Sequence, residues 1–282
     1  MRARKVVLFG IDGLRIDSAL GGGRDGSPAA PAPALARLVE QGGLHRMTME
    51  VPTISGPGWS SLLTGTTHAV HGVFDNSFHG NRLGDTTDFL SRAVFADPRR
   101  STFAASGWPP IVDPAGPGPI IATRLDQQRL GRHRIVVRDG ETYGYRSADG
   151  EIAAWGRMAL RDAGPDASFI YLGEVDEAGH LYGGASTEYT AAIRRVDEHL
   201  GGMLAVVEQR SRDHDEDWLV AVTTDHGHVD AGGHGGAEPE VTGSFLATVR
   251  YEAGHAHPGV LPAQDARIRP EDVAGLLLAH LG

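Results

Sequence analysis

The sequence predicts an α/β domain built on a central, mostly parallel sheet. Two observations lead there. The runs Lys5–Ile11, Ala167–Leu172 and Trp218–Thr224 are apolar almost throughout, as strands buried on both faces of a sheet must be. Segments of helical spacing alternate with such runs along the chain, and strand–helix alternation closes most economically as a parallel sheet with helices packed on it. At 282 residues the chain suits one large domain, 1–282.

Taken in order, the first strand, Lys5–Ile11, stops at Asp12-Gly13. Gly21 to Pro33 is a Gly/Pro-rich loop. Ala34–Glu40 has helical spacing, with Pro31 and Pro33 upstream and Gly42-Gly43 as its stop. Leu44–Val51 is a second strand, and it leads into the turn PTISGPGWSS, where Ser55 precedes the helical segment Trp59–Leu63. The stretch 77–153 is less regular. It holds strand candidates at Val94–Ala96 and Thr102–Ser106, a loop at Pro109–Pro119, and a hairpin signal at Asp139-Gly140 between Arg134–Arg138 and Glu141–Arg146. We read it as a small cap or insertion over the main sheet. Beyond it come a helix at Trp155–Ala163 and a long amphipathic helix, Thr187–Arg210, interrupted near Gly201-Gly202. A strand at Ser244–Tyr251 follows, and a closing helix is opened by Arg269-Pro270.

Composition narrows the function. A formal net charge of -10 argues against a protein that coats nucleic acid. The absence of cysteine removes disulfides, thiolate zinc sites and thiol nucleophiles together. The apolar run at the start is short for a signal segment and ends in Asp12, and no stretch reaches the roughly 18 apolar residues of a membrane span. The expectation is a soluble, cytoplasmic protein with a small-molecule substrate and neither a membrane nor a nucleic-acid polymer as partner.

Ligands in open α/β sheets bind at the carboxyl ends of strands. Here those ends carry chemistry. The first strand ends in Asp12; Ala167–Leu172 is followed by Asp176 and His180, four apart; Trp218–Thr224 runs into Asp225-His226; and His234 stands between glycine pairs. Each piece alone has an ordinary structural reading as a surface pair, an Asx turn or a loop residue, and Ser55 alone is an ordinary helix N-cap. Their joint placement beside strand ends is what those readings leave unexplained. Asp and His without Cys suit Zn²⁺ or Mn²⁺, and with Ser55 there are side chains enough for two ions of the kind that assist displacement at phosphorus.

Read together, VVLFGIDGLR, PTISGPGWSSLLTGTTHAVHGVFDN, YLGEVDEAGHLYG and VTTDHGHVDAGGHGG resemble the ordered motifs of the alkaline phosphatase superfamily, in its type I phosphodiesterase/nucleotide pyrophosphatase branch. The resemblance implies an alkaline-phosphatase-like sandwich with helices on both faces of the sheet. It implies two divalent ions, zinc first and manganese as the alternative. One would be held by Asp176, His180 and His234, the other by Asp12, Asp225 and His226. Ser55 would meet the second ion as nucleophile and pass through a phosphoseryl intermediate, and Asn76 would bind a non-bridging phosphate oxygen. The implied reaction is hydrolysis of nucleotide-like phosphodiesters or pyrophosphates. His68, His71, His79 and His228 are expected as supporting residues.

The sequence departs from the family pattern in two places. Ser55 replaces the usual Thr, which preserves the chemistry. Pro57-Gly58-Trp59 replaces a Pro-Asn-His triplet, so Trp59 is expected either as a different pocket wall or as buried packing. A sulfatase is disfavoured because Trp59 stands where its Arg is expected and Asp12 has no acidic neighbour. A phosphomonoesterase on the same metal site is a further alternative, although no Arg or Lys lies between Ser55 and Asn76 to meet the extra phosphate charge. A phosphonoacetate-hydrolase-like C–P hydrolase shares the metal set and the Asn and is the main enzymatic alternative. The non-enzymatic alternative is an inactive metal- or nucleotide-binding protein.

Overall fold

The computed structural model describes residues 2–21, 30–259 and 267–282. Most of the loop expected between Gly21 and Pro33 lies outside the described residues. Eight strands form one sheet: β1 Ala3–Ile11, β2 Gly43–Thr48, β3 Thr102–Ser106, β4 His133–Val137, β5 Ala167–Leu172, β6 Glu216–Thr223, β7 Gly243–Glu252 and β8 His255–Pro258. Their order is β2-β7-β6-β1-β5-β3-β4, with β8 pairing β7. Parallel pairing runs without a break from β6 through β1, β5 and β3 to β4, while β7 is antiparallel to β6, β2 and β8.

Side chains of a strand alternate between faces, and β1 shows how both faces are used. Val7, Phe9 and Ile11 join one core, against the helices Pro33–Gln41, Tyr145–Met158 and Thr187–Asp213. Val6 and Leu8 join the other, against the helices Ser55–Thr64, Phe89–Ala96 and Val273–Leu281. The result is the expected sandwich, with helices on both faces of a mostly parallel sheet. None of the described helices is long and apolar enough to cross a membrane.

Several local expectations change. The stretch 77–153 is not simply a cap: β3 and β4 extend the main sheet, and Tyr145–Met158 covers one of its faces. Val94–Ala96 belongs to a helix whose first turn is capped by the Asp88 carboxylate, which accepts the Ser91 N–H at 2.9 Å. Asp139-Gly140 turns into a helix rather than a hairpin, because the Asp139 side chain accepts the Thr142 N–H at 3.0 Å and starts Gly140–Tyr143. The long helix runs unbroken from Thr187 to Asp213. A Cβ at Gly201 would stand 3.2 Å from the Cβ of Ala34, so that glycine serves close packing against a neighbouring helix.

Candidate active site

The site lies where three neighbouring strands end. β6, β1 and β5 are adjacent and parallel, so their carboxyl ends place Asp225-His226, Asp12 and the helix Glu174–Tyr182 side by side. The sheet thus gathers residues separated by as many as 222 positions, Asp12 and His234 among them. Two donor sets result, each with ligand atoms within 4.8 Å of one another: Asp12, Asp225 and His226, and Asp176, His180, His228 and His234.

The first set is fully buried. His226 Nε2 lies 3.4 Å from Asp12 Oδ1 and 3.3 Å from Asp225 Oδ2. Its Nδ1 faces the Gly227 carbonyl at 3.1 Å, which fixes the proton there and leaves the Nε2 lone pair pointing into the set. Asp12 Oδ1 and Asp225 Oδ2 have no hydrogen-bond partner. Burial, then the charge of Asp176, raises the Asp12 pKa to about 7; burial and the neighbouring Asp12 raise that of Asp225 well above the usual carboxylate range. Two buried carboxylates that face a lone pair, each with an orphaned oxygen, are costly on their own and fit a bound cation.

The second set opens to solvent through His180. His180 Nε2 and His234 Nε2 face each other at 2.9 Å, a distance that requires a shared proton or a shared cation. The His234 Nδ1 is tied to the Thr53 carbonyl at 2.8 Å, so its Nε2 too is left as the lone pair. Asp176 lies 3.4 Å from His180 and 3.7 Å from His234. Burial would raise its pKa, but contacts with His180 and His228 outweigh that and hold it well below the usual range. His228 accepts the Gly233 N–H at Nδ1 and therefore donates from Nε2 to Asp176 Oδ1 at 2.7 Å. It orients a donor in the manner of the carboxylate–histidine pairs that support metal ligands. The residues of both sets fit divalent ions with N and O donors.

Ser55 sits between the sets. It is the first residue of its helix, whose N-cap position is Ile54, so the N-cap expected of it does not form. Its Oγ lies 3.2 Å from His226 Nε2 instead. Asn76 Oδ1 accepts the Gly56 N–H at 2.8 Å, which brings the Asn76 amide beside Ser55 on the wall of a cavity of about 390 Å³. Trp59 is fully buried and is no pocket wall. Its indole N–H donates to Asp12 Oδ2 at 2.9 Å, and the Tyr171 hydroxyl donates to the same oxygen at 2.7 Å. Both contacts escape a sequence reading, because neither residue type marks a donor to a site carboxylate. Glycines allow the crowding. Gly13 has φ +65° and a Cβ there would lie 2.8 Å from Asp176 Oδ1; a Cβ on Gly58 would lie 2.9 Å from that of Asp225. Of the other histidines, His71 bonds Ser61 at 3.0 Å with His68 packed beside it, both buried under the Ser55 helix, and His79 is exposed.

Comparison with known proteins agrees with this architecture. The mouse protein GPI ethanolamine phosphate transferase 1 is 25% identical over 277 residues, covering 93% of this chain and 28% of its own length, so the chain spans little more than a quarter of that relative. Murine ectonucleotide pyrophosphatase/phosphodiesterase 5, solved with AMP, superposes with a TM-score of 0.66 at 16% identity, over 99% of this chain and 95% of the other. Phosphonoacetate hydrolase from Sinorhizobium meliloti superposes with a TM-score of 0.56 at 17% identity, over 80% and 57%. These structural likenesses concern the fold. The model of the type I phosphodiesterase/nucleotide pyrophosphatase family matches residues 6–240, and the chain belongs to that family.

Proposed function

We propose that the chain is a divalent-metal-dependent phosphodiester hydrolase that works through Ser55. The observation that carries the reading is the position of Ser55 Oγ, 3.2 Å from His226 Nε2, beside two buried carboxylate oxygens without partners. Asp12, Asp225 and His226 would hold one ion and Asp176, His180 and His234 the other, zinc or manganese by donor type. Bound there, the ions would supply positive charge that favours the Ser55 alkoxide and offsets charge on the phosphate.

The chain's own groups do the rest. Ser55 Oγ forms a bond to phosphorus while the bond to one ester oxygen breaks; the departing alcohol takes up a proton and Ser55 gives one to solvent. Water then cleaves the phosphoseryl ester and Oγ regains its proton. Asn76, anchored through Gly56, presents its amide to a non-bridging oxygen. Among the described residues no Arg or Lys lines the cavity, which favours a diester with one negative charge over a phosphomonoester or a carboxylate-bearing phosphonate. Nucleotide-like diesters are one such class. A transfer to an acceptor other than water would share the Ser55 step and differ only in what replaces water; the mouse relative is named as an ethanolamine phosphate transferase.

Ser55→Ala should cut turnover of bis-p-nitrophenyl phosphate by at least about a thousandfold, the scale on which loss of a nucleophile acts, while bound metal stays close to two ions per chain. Retained turnover in that variant would remove Ser55 as nucleophile. An inactive binding protein would show no turnover of diester, monoester, sulfate ester or phosphonoacetate in the wild type.

A further inference from the structure

We infer that Asp149 is a positioning residue for the second donor set: its buried carboxylate caps the helix Glu174–Tyr182 and so fixes where Asp176 and His180 stand. The inference rests on the metal reading of that set, and Asp149 belongs to neither donor set.

A helix begins with N–H groups that have no partner within it, and a side chain at the N-cap usually takes one of them. Here the N-cap is Gly173, which has no side chain to offer. It could not carry one, because a Cβ at Gly173 would strike the ring of Tyr145. The acceptor comes instead from the neighbouring helix, Tyr145–Met158. Asp149, fully buried within it, accepts the Gly173 N–H at 3.0 Å through both carboxylate oxygens and the Glu174 N–H at 2.8 Å through Oδ2. Burial pushes the Asp149 pKa up to about 8, against the lowering pull of these two amides. The tie is returned from the other side. The helix Tyr145–Met158 also starts behind a glycine, Gly144, without a side-chain cap, and Glu177 Oε1 accepts its Tyr145 N–H at 3.2 Å. Each helix thus supplies the carboxylate that caps the other. Two such ties fix both the offset and the rotation between the helices, where one would leave a pivot.

Asp176 lies in the first turn of the capped helix and His180 one turn further, so both move with it. Asp12, Asp225 and His226 stand just beyond the ends of β1 and β6 and do not. Loss of the Asp149 cap therefore falls on one donor set. Asp149→Asn separates this role from packing, because it keeps the volume and one acceptor but turns the other into an N–H that faces a backbone N–H. Zinc binding is read by competition with a chelating dye, and His180→Ala identifies the step that belongs to the second set. In Asp149→Asn that step should weaken by about tenfold to a hundredfold, the scale on which residues behind metal ligands act, while the other step keeps its wild-type affinity. Equal weakening of both steps, or of neither, would overturn the inference. If the variant does not fold, amide hydrogen exchange in the wild type decides: Gly173 and Glu174 should be as protected as the interior of β5, and the fast exchange of an uncapped first turn would overturn the inference. If the wild type binds no zinc, the metal reading fails instead, and exchange across Glu174–Tyr182 decides for the helix alone. Faster exchange in Asp149→Asn than in the wild type supports the cap, and an unchanged rate overturns it.

Discussion

Asp12 shows how much a single residue has to be held in place. Its Oδ2 takes hydrogen bonds from Trp59 and Tyr171, and its Oδ1 is left bare toward His226. The two donors fix the carboxylate plane and keep the bare oxygen aimed at the donor set, as supporting shells do around metal ligands. Tyr171→Phe removes one donor with little change of shape. Metal affinity should fall by roughly tenfold to a hundredfold, read by competition with a chelating dye, while the circular dichroism spectrum stays that of the wild type. Trp59→Phe should do the same with an added loss of stability, because it also empties part of a fully buried site. An unchanged affinity in Tyr171→Phe would reduce these contacts to packing. Asp12 itself is legible in the sequence, standing where an apolar run stops. Trp59 is not: in a helical segment an indole reads as core, and its N–H finds a partner 47 positions away.

Among the elements, the Ser55 helix and the end of β6 set the working geometry. The helix Ser55–Thr64 is buried along its whole length, and Gly58 brings its backbone against Asp225. Gly58→Ala puts a methyl carbon 2.9 Å from the Asp225 Cβ, closer than such atoms approach, so helix and strand end must part. Overpacking of this kind costs about 1–3 kcal/mol, and the parting separates Ser55 from His226. The melting temperature should fall by several degrees, and the rise in melting temperature on adding Zn²⁺ should shrink; a full metal-induced rise would show that the helix accommodates the methyl. The runs that became β1, β5 and β6 are readable because each is apolar and ends in chemistry. Their adjacency is not, because pairing order is a long-range property that no local pattern carries. The same limit explains Asp139-Gly140. As a dipeptide it signals a hairpin, but the next strand, β5, lies on the far side of β3 and runs parallel to it and to β4, so the chain crosses over after β4 and Asp139 starts a helix instead.

For the molecule as a whole, the sandwich puts the site at the end of the sheet and neutral histidines in its body, and this sets its acid limit. Fold class was legible because alternation of strand and helix is a global pattern, whereas the role of 77–153 was not, since short edge strands are weak signals. One of those strands, β4, begins with His133, which is buried and accepts from Arg124 at 2.8 Å. Burial, then the Arg124 charge, lowers its pKa from 6.5 to about 3; burial, then His68, lowers that of His71 to about 4. In the unfolded chain both would take a proton near pH 6.5, which the native protein refuses. The stability they contribute is therefore complete above pH 6.5 and is lost as pH falls through about 4 and about 3. Asp149 works the other way, since burial raises its pKa to about 8, so the wild-type curve alone mixes opposite slopes. The difference between wild type and His133→Gln isolates one group. Glutamine can still accept from Arg124 but does not titrate. In urea unfolding under chelator, where metal release plays no part, the two proteins should lose stability differently below pH 6.5: the wild type falls more steeply, and the gap between them closes as the pH drops. Parallel curves would mean that His133 is protonated in the native state, with the Arg124 contact broken.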